Sequence, residues 1–161
     1  MTVSPIEYRY GREETKAIFS EESRLLYMLK VEAAITRAEE EFGLVPRGGT
    51  AEMVERAALS GRVTLEKVKA VEAETGHDIM ALTRVLSQEA GEAGRYVHLG
   101  ATSNDIIDTA TALQIKDFLG IYEGEMVSFI LVLSDLVQKY RSVPMLGRTH
   151  GQHASPHNFR A

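Results

Sequence analysis

The chain has 161 residues, and its 18 Lys and Arg against 23 Asp and Glu give a formal charge of −5 with neutral histidine. This charge excludes a nucleic-acid binder that relies on bulk positive potential. Apolar residues make up 44% of the chain and charged residues 25%, so we expect a buried core and about one globular domain. The absence of cysteine excludes disulfides and Cys-type zinc sites. The chain contains no signal-like or membrane-length apolar run, which favours a soluble cytoplasmic protein.

The first predicted helix begins after Ser20, whose side chain can cap a first turn that carries Glu21 and Glu22. Its apolar face is indicated by residues at helical spacing: Leu25, Leu26, Leu29, Ala33 and Phe42. Gly43 predicts a left-handed cap at the end of this helix, and Pro46 prevents its continuation.

Three shorter helices are predicted next. Thr50 can open a helix that ends before Gly61, and Thr64 can open another that runs to Thr75. After a break at Gly76, apolar residues at helical spacing predict a third helix that fades toward two glycines. The apolar residues are Ile79, Leu82, Val85 and Leu86, and the glycines are Gly91 and Gly94.

The longest predicted element follows the segment YVHLGATS, which we interpret as an extended connector. Ser103 can cap it and no proline occurs before Pro144, so one helix from about residue 104 to about residue 140 would be roughly 55 Å long. Its MVSFILVL stretch, residues 126–133, is apolar on nearly every face, which predicts burial on all sides by partner helices. The predicted fold class is all-α, because strands have little support.

Histidine is the first side chain to examine for chemistry, because its ordinary pKa lies near neutral pH. His150, His153 and His157 would align on one face of a helix and imitate a metal site. Gly151 and Pro156 interrupt this segment and no carboxylate lies within it, so we expect neither a metal nor a cofactor.

The other two histidines have different surroundings. His98 has apolar neighbours, which favours a hydrogen-bonded structural role. His77 lies between Gly76 and Asp78 at a predicted helix start, where the helix dipole favours neutral imidazole and the carboxylate favours the charged form. On this evidence a solvated loop histidine is the default interpretation of His77, and a functional one is the alternative.

Two further segments have the residue types of a ligand site. Thr102 and Ser103 can simply cap the long helix, although the same N–H groups can bind an anion. In GRTHGQHASP, residues 147–156, glycines on both sides of Thr149 and His150 permit unusual backbone angles and close approach of a ligand. Loop packing alone is possible there, but function is the favoured interpretation.

Four segments together resemble the fumarase/aspartase superfamily, and within it are most similar to the adenylosuccinate lyase family. They are RYGREETKAIFSEE at residues 9–22, ETGHDIMALTR at 74–84, HLGATSNDIIDTA at 98–110 and GRTHGQHASP at 147–156. The nearest alternative is the carboxymuconate cycloisomerase branch, which has a similar GATS segment and is less similar around GHDIMA. The resemblance covers essentially the whole chain in consistent order.

The resemblance implies an N-terminal helical domain, residues 1–100, followed by the first long helix of a central helix-bundle domain, residues 101–161. It also implies a homotetramer with shared active sites. The implied reaction is β-elimination of fumarate from adenylosuccinate, giving AMP, and from succinyl-aminoimidazole-carboxamide ribotide.

By the same resemblance, His150 would be the general acid that protonates the leaving nitrogen, and His77 would orient or assist it. The residues implied in holding the succinyl portion or the histidines are Thr149, Thr102, Ser103 and Asp78, and those implied in gripping the phosphate are Arg9 and Tyr10. Gly76, in the same substrate-binding segment, stands where many family members carry a basic residue, which weakens charge recognition at that position.

One part of the family's machinery has no counterpart in these residues. The base that removes the carbon-bound proton is a serine on a downstream glycine-rich loop in the superfamily, so we expect the 161 residues alone to be inactive. We also expect the N-terminal part of a longer polypeptide, or a chain that depends on partner chains. The alternatives are another superfamily substrate, such as a carboxymuconate-like or argininosuccinate-like molecule, and a non-catalytic helical interaction module.

Overall fold

The computed structural model describes residues 9–158, which form two compact units, one up to Phe118 and one from Leu119 onward. Six α-helices, one 3₁₀ helix and one two-stranded sheet are present in the described residues. The α-helices are α1 (Glu13–Ile18), α2 (Glu21–Phe42), α3 (Thr50–Leu59), α4 (Leu65–Thr75), α5 (Asp78–Ala90) and α6 (Ser103–Tyr140). The 3₁₀ helix is Gly91–Tyr96, and the strands are β1 (Pro144–Thr149) and β2 (Gln152–Asn158).

Most predicted helix ends are confirmed by their capping geometry. The Ser20 hydroxyl accepts from the Ser23 N–H at 3.1 Å at the start of α2, and Thr64 caps α4 in the same way. Gly43 and Gly76 are left-handed C-caps, with φ of 74° and 67°. The prediction for Ser103 is wrong by one residue, because Ser103 is the first residue of α6.

The core of the first unit lies where α2, α3, α4 and α5 meet, with the 3₁₀ helix packed against them. The fully buried large side chains are Ile79, Leu82, Leu86, Ile106, Glu32, Val54 and Thr36. Two members of the predicted apolar face of α2 are outside this core, because Leu26 is 41% exposed and Phe42 is 82% exposed. Glu32 and Thr36 are buried on α2 instead, so this helix buries a polar stripe that the apolar pattern did not predict.

The segment between the 3₁₀ helix and α6 turns instead of running extended. His98 and Gly100 have left-handed φ values of 63° and 68°, so the predicted extended connector is wrong. Left-handed backbone reverses the chain direction within a few residues, which brings the start of α6 back onto the helices of the first unit.

The first turns of α6 pack in the first unit. Ile106 and Ala110 are fully buried there, and the Gln114 side chain donates to the carbonyl of Ile18 at 2.6 Å. The Tyr27 hydroxyl also donates to the Asp117 carboxylate. These contacts fix the start of α6, where two predicted site residues lie.

In the second unit, the predicted burial of residues 126–133 is not found in the described chain. The seven apolar side chains of this stretch are 38–61% exposed, because no described element covers them. None of the described helices is long and apolar enough to cross a membrane.

The prediction of a helical fold is confirmed, with one small sheet in addition. β1 and β2 pair antiparallel, with Thr149 opposite Gln152 and Arg148 opposite His153. The sheet was not predicted from sequence, since glycines and a proline within residues 147–156 read as loop residues.

Candidate active site

His77 occupies the N-cap position of α5. Its Nδ1 accepts a hydrogen bond from the Met80 N–H at 3.3 Å, as a capping side chain does. Nδ1 also lies 3.4 Å from Oδ1 of Asp78, but a nitrogen that accepts a hydrogen bond cannot donate one. Because the Asp78 oxygen accepts from the Ile79 N–H at 2.7 Å, we assign the capping arrangement. The hydrogen of the neutral ring is then on Nε2, and the side chain as a whole is about half exposed.

Gly76 supplies the backbone turn that places His77. Its φ of 67° is a backbone conformation that residues with a Cβ rarely adopt, although open space surrounds the position where a Cβ would be. The residue therefore serves the turn between α4 and α5, and it brings no charge to the site.

Thr102 and Ser103 form the start of α6. The Thr102 N–H donates to Oδ2 of Asp105 at 2.9 Å, and the Asp105 N–H donates back to the Thr102 carbonyl at 3.0 Å. This reciprocal pair satisfies one exposed N–H group of the helix start, while the side chains of Thr102 and Ser103 make no hydrogen bond with other described residues. Both hydroxyls are therefore available to a ligand.

Thr149 and His150 lie at the tip of the hairpin in the second unit. His150 and Gly151 have φ of 50° and 74°, which is the left-handed pair of a two-residue type I′ turn. A histidine with positive φ is uncommon, and such strained positions concentrate at functional sites. The Thr149 hydroxyl and Nδ1 of His150 are 2.9 Å apart, and a hydroxyl that donates here leaves the ring hydrogen on Nε2.

The remaining predicted site residues, Arg9 and Tyr10, are the first two residues that the structure describes. Arg9 and Tyr10 are exposed, with Tyr10 60% exposed. An exposed guanidinium beside a phenol can bind a phosphate without first breaking a buried contact.

The structure joins some of the predicted residues and leaves others apart. Thr149 contacts His150 in the second unit, and His77 lies beside Asp78 in the first. Among the described residues, no hydrogen bond or ion pair joins His77 or Asp78 to Thr102 or Ser103. The predicted site residues therefore form four local groups, which are Arg9 with Tyr10, Gly76 to Asp78, Thr102 with Ser103, and Thr149 with His150.

The prediction that His98 is hydrogen-bonded is confirmed, and its partner was missed. Nδ1 of His98 lies 2.8 Å from Oε1 of Glu32, which is completely buried on α2. Burial raises the pKa of Glu32, and the neighbouring His98 opposes this shift. The available signal was a lone acidic residue between Leu29 and Ala33 on an apolar helix face.

The histidine spacing at residues 150, 153 and 157 does not form a metal centre in the described part of the chain. No group of three histidine or carboxylate side chains within residues 9–158 could hold a metal ion. His150 is in a turn, while His153 and His157 are on β2, so the helix on which they would align is absent.

These groups suit proton transfer and anion binding. In both His77 and His150 the local partner engages Nδ1, so Nε2 is the ring nitrogen that can contact a ligand and exchange a proton with it. Hydroxyl groups at a helix start can bind a carboxylate, since the helix dipole favours negative charge there.

Comparisons with known proteins agree over nearly the whole chain. A sequence model of a protein family, described as Lyase, matches residues 7–160. The adenylosuccinate lyase of Pyrococcus abyssi is 48% identical over 159 residues, which are 99% of this chain and 35% of that relative. The adenylosuccinate lyase of Methanocaldococcus jannaschii is 44% identical over 160 residues, 99% of this chain and 34% of the relative. The chain thus spans about a third of the length of these relatives.

Solved structures give a consistent result. A fumarate lyase from Mesorhizobium sp. BNC1 matches with a TM-score of 0.84 and 37% identity, covering 94% of this chain and 36% of that one. A 3-carboxy-cis,cis-muconate lactonizing enzyme from Pseudomonas putida matches with a TM-score of 0.84 and 34% identity, covering 96% of this chain and 36% of that one.

Proposed function

The chain belongs to the lyase family whose sequence pattern covers residues 7–160, and from this membership we propose that the protein releases fumarate from adenylosuccinate to give AMP. The observation that carries the proposal is the 48% identity to an adenylosuccinate lyase over 99% of the chain. We extend it to succinyl-aminoimidazole-carboxamide ribotide, which contains the same succinyl–nitrogen bond.

The reaction breaks a carbon–hydrogen bond and a carbon–nitrogen bond, and it forms the double bond of fumarate and a nitrogen–hydrogen bond on the leaving group. A base removes a proton from the carbon beside a carboxylate, the electron pair forms the double bond of fumarate, and the carbon–nitrogen bond breaks. The leaving nitrogen needs a proton as that bond breaks, and histidine is the side chain that most often supplies one as a general acid. In this proposal His150 enters the step as the imidazolium: its Nδ1–H donates to the Thr149 hydroxyl oxygen, Nε2 gives its proton to the leaving nitrogen, and the ring is left neutral, while His77 assists.

The anionic parts of the substrate need separate partners. We assign the succinyl carboxylates to the hydroxyls of Thr102, Ser103 and Thr149, since developing negative charge is stabilised by preorganised donors. Asp78, whose Oδ1 lies 3.4 Å from Nδ1 of His77, is assigned to positioning that histidine. Gly76 lets the backbone before His77 approach the ligand closely.

The phosphate is assigned to Arg9 and Tyr10. In a chain of charge −5, a polyanionic substrate is not attracted by the overall field, so a local guanidinium has a large effect on binding. Binding of AMP and of adenosine, compared by calorimetry, tests this assignment. Equal affinity for both would remove the phosphate role, whereas loss of the AMP preference in Arg9→Gln would support it.

The activity itself is tested with the protein as its gene encodes it. Fumarate release from adenylosuccinate should fall about 10²–10⁴-fold in His150→Ala, the usual contribution of a general acid. Undiminished turnover in that variant would overturn the role of His150. Absence of turnover in the unsubstituted protein would overturn the proposed reaction. We also propose that the 161 residues alone release no fumarate, because they contain no counterpart of the family's serine loop.

A second candidate reaction has a specific observation in its favour. The Pseudomonas putida muconate lactonizing enzyme shares the fold of this chain at a TM-score of 0.84. Turnover of a carboxymuconate in place of adenylosuccinate would favour that candidate. A non-catalytic interaction module would instead bind a partner chain and no nucleotide.

The remaining proposals concern the protein's organisation. We propose a homotetramer with shared active sites, an N-terminal domain at residues 1–100 and the start of a bundle domain at 101–161. A cytoplasmic location follows from the proposed reaction, whose substrates are intracellular nucleotides, and neither nucleic acid nor membrane is a proposed partner. Sedimentation of the protein as encoded tests the subunit number.

A further inference from the structure

Glu32 is an ionisable side chain in a position that is costly for stability. It lies in the middle of α2 with no exposed surface, and only one of its two carboxylate oxygens has a partner. Oε1 lies 2.8 Å from Nδ1 of His98, while Oε2 is buried without a hydrogen bond among the described residues. Burial of a carboxylate with an unpaired oxygen is rare in native proteins and calls for a reason other than packing.

His98 is also held in an unfavourable state. Its φ of 63° is left-handed, which costs energy in a residue with a Cβ. Its side chain is 23% exposed, and it lies four residues before Thr102 in the turn that leads to α6. The buried carboxylate of Glu32 and the strained backbone of His98 both hold the imidazole of His98 in place. That imidazole is close in the chain to the proposed anion-binding hydroxyls.

The contact with Glu32 has a defined chemical consequence for that ring. When Glu32 is ionised its oxygens only accept hydrogen bonds, and the hydrogen of neutral His98 is then on Nδ1. The other nitrogen, Nε2, then has a free lone pair, and the geometry of imidazole directs it away from the carboxylate. Among the described residues, Nε2 of His98 has no hydrogen-bond partner.

We propose that Glu32 is a positioning residue of the lyase site, which fixes His98 in the Nδ1–H tautomer so that Nε2 accepts a hydrogen bond from an N–H or O–H group of the substrate. This inference rests on the proposed function and adds a residue on α2 to it. A contact that only stabilised the fold would also need Glu32 beside His98, but activity would then not depend on which ring nitrogen of His98 carries the hydrogen.

The first test reads the tautomer directly. In the chain with ¹⁵N-labelled histidine, His98 should give the nitrogen resonances of a single Nδ1–H tautomer. Glu32→Gln should convert this to a mixture, since an amide can both donate and accept. A single Nε2–H tautomer in the unsubstituted chain would overturn the inference, whether or not the protein is a lyase.

The second test is kinetic and uses the protein as its gene encodes it. Glu32→Gln should lower kcat for adenylosuccinate about 10–100-fold, the range found when a metal-ligating histidine loses the partner that orients it, with a smaller change in KM. In a His98→Gln background the same substitution should change kcat by less than about twofold, because residues that act through one another are not additive. Independent, multiplicative effects would overturn the positioning role.

Glu39 provides the matched control. It is 8% exposed on the same helix and also has an unpaired buried oxygen, but no imidazole contacts it. Glu39→Gln should leave kcat within about twofold of the unsubstituted protein, whereas equal losses in both variants would indicate a general effect of burial and overturn the inference. If Glu32→Gln does not fold, Glu32→Asp replaces it, because its shorter side chain withdraws the carboxylate from Nδ1 and the same kcat loss is expected.

Failure of this inference and failure of the proposed function are distinguishable. A protein that turns over adenylosuccinate, with kcat unchanged in Glu32→Gln, would retain the lyase function and lose the positioning role.

Discussion

Gly94 is the described glycine at which an added methyl group meets the closest obstruction. A Cβ there would lie 2.0 Å from the carbonyl oxygen of Ser87 and 2.7 Å from its carbon. Both atoms belong to the backbone of α5, so neither can rotate away. We expect Gly94→Ala to lower the free energy of unfolding by about 3 kcal/mol or more, measured by urea denaturation.

Gly120 is the matched control for this substitution. It lies inside α6 and has no atom within 4 Å of the position that a Cβ would take. Alanine is favoured over glycine in helices by about 1 kcal/mol, so Gly120→Ala should maintain or raise stability. Equal destabilisation by both variants would contradict the close packing of the 3₁₀ helix on α5.

At the scale of elements, the start of α3 is capped by a side chain from another helix. Glu40 of α2 accepts from the N–H groups of Gly48, Gly49 and Ala51 at 2.6–3.0 Å. These bonds, the one from Gly49 foremost, lower the pKa of Glu40 below 4.5. The lowered pKa contributes stability that is fully present above the unfolded-state pKa and is lost as pH falls through the folded-state value.

We therefore expect Glu40→Gln to destabilise the chain at neutral pH and to make a smaller difference in acid, measured by thermal unfolding across pH 3–7.

The adjacent Glu39 should show the opposite pH dependence, because burial raises its pKa from 4.5. Stability contributed by its protonated form is present below the unfolded-state pKa and lost as pH rises through the folded-state value. Glu39→Gln should accordingly gain stability relative to the unsubstituted chain as pH rises, and parallel curves for both variants would contradict these assignments.

The hairpin allows its shape and its chemistry to be separated. Asparagine followed by glycine is the preferred sequence of a type I′ turn, so His150→Asn should keep the pairing of β1 with β2. Gly151→Ala places a Cβ at φ 74° and should loosen the pairing, which amide exchange of residues 144–158 would report.

Both variants should lower fumarate release by the protein as encoded, but for different reasons. His150→Asn removes the general acid, for which we expect a loss of about 10²–10⁴-fold with normal amide protection. An active His150→Asn protein with an intact hairpin would assign proton donation to another group.

At the scale of elements, features set by contacts between residues close in sequence were predictable, and features set by distant residues were not. Helix ends at Ser20, Gly43, Thr64 and Gly76 depend on residues within a turn or two, so they were predictable. The Glu32–His98 contact joins residues 66 positions apart, and no local pattern specifies it. The hairpin was missed because its turn contains histidine where asparagine is the stronger signal.

At the scale of the whole molecule, residue types indicate candidate site residues but not how these residues assemble. Pattern and resemblance predict His77, Thr102 and His150 as site residues, and the structure gives each a local partner or helix position without joining the three. Burial of residues 126–133 was predicted from composition alone. Composition indicates that such a surface is covered but does not indicate by which chain.

The exposed apolar surface of α6 leads to a prediction about association. Residues 126–133 carry seven apolar side chains that are each 38–61% exposed, and contiguous surfaces of this kind mark interaction sites or aggregate. We expect the 161-residue chain to self-associate with increasing concentration in analytical ultracentrifugation. Ile130→Glu should shift the distribution toward monomer, because a carboxylate in an apolar contact is costly to desolvate. Gln138→Glu adds the same charge at a polar position of α6 and should leave association unchanged, so equal dissociation by both variants, or a monomer at all concentrations, would contradict an apolar interface on this helix.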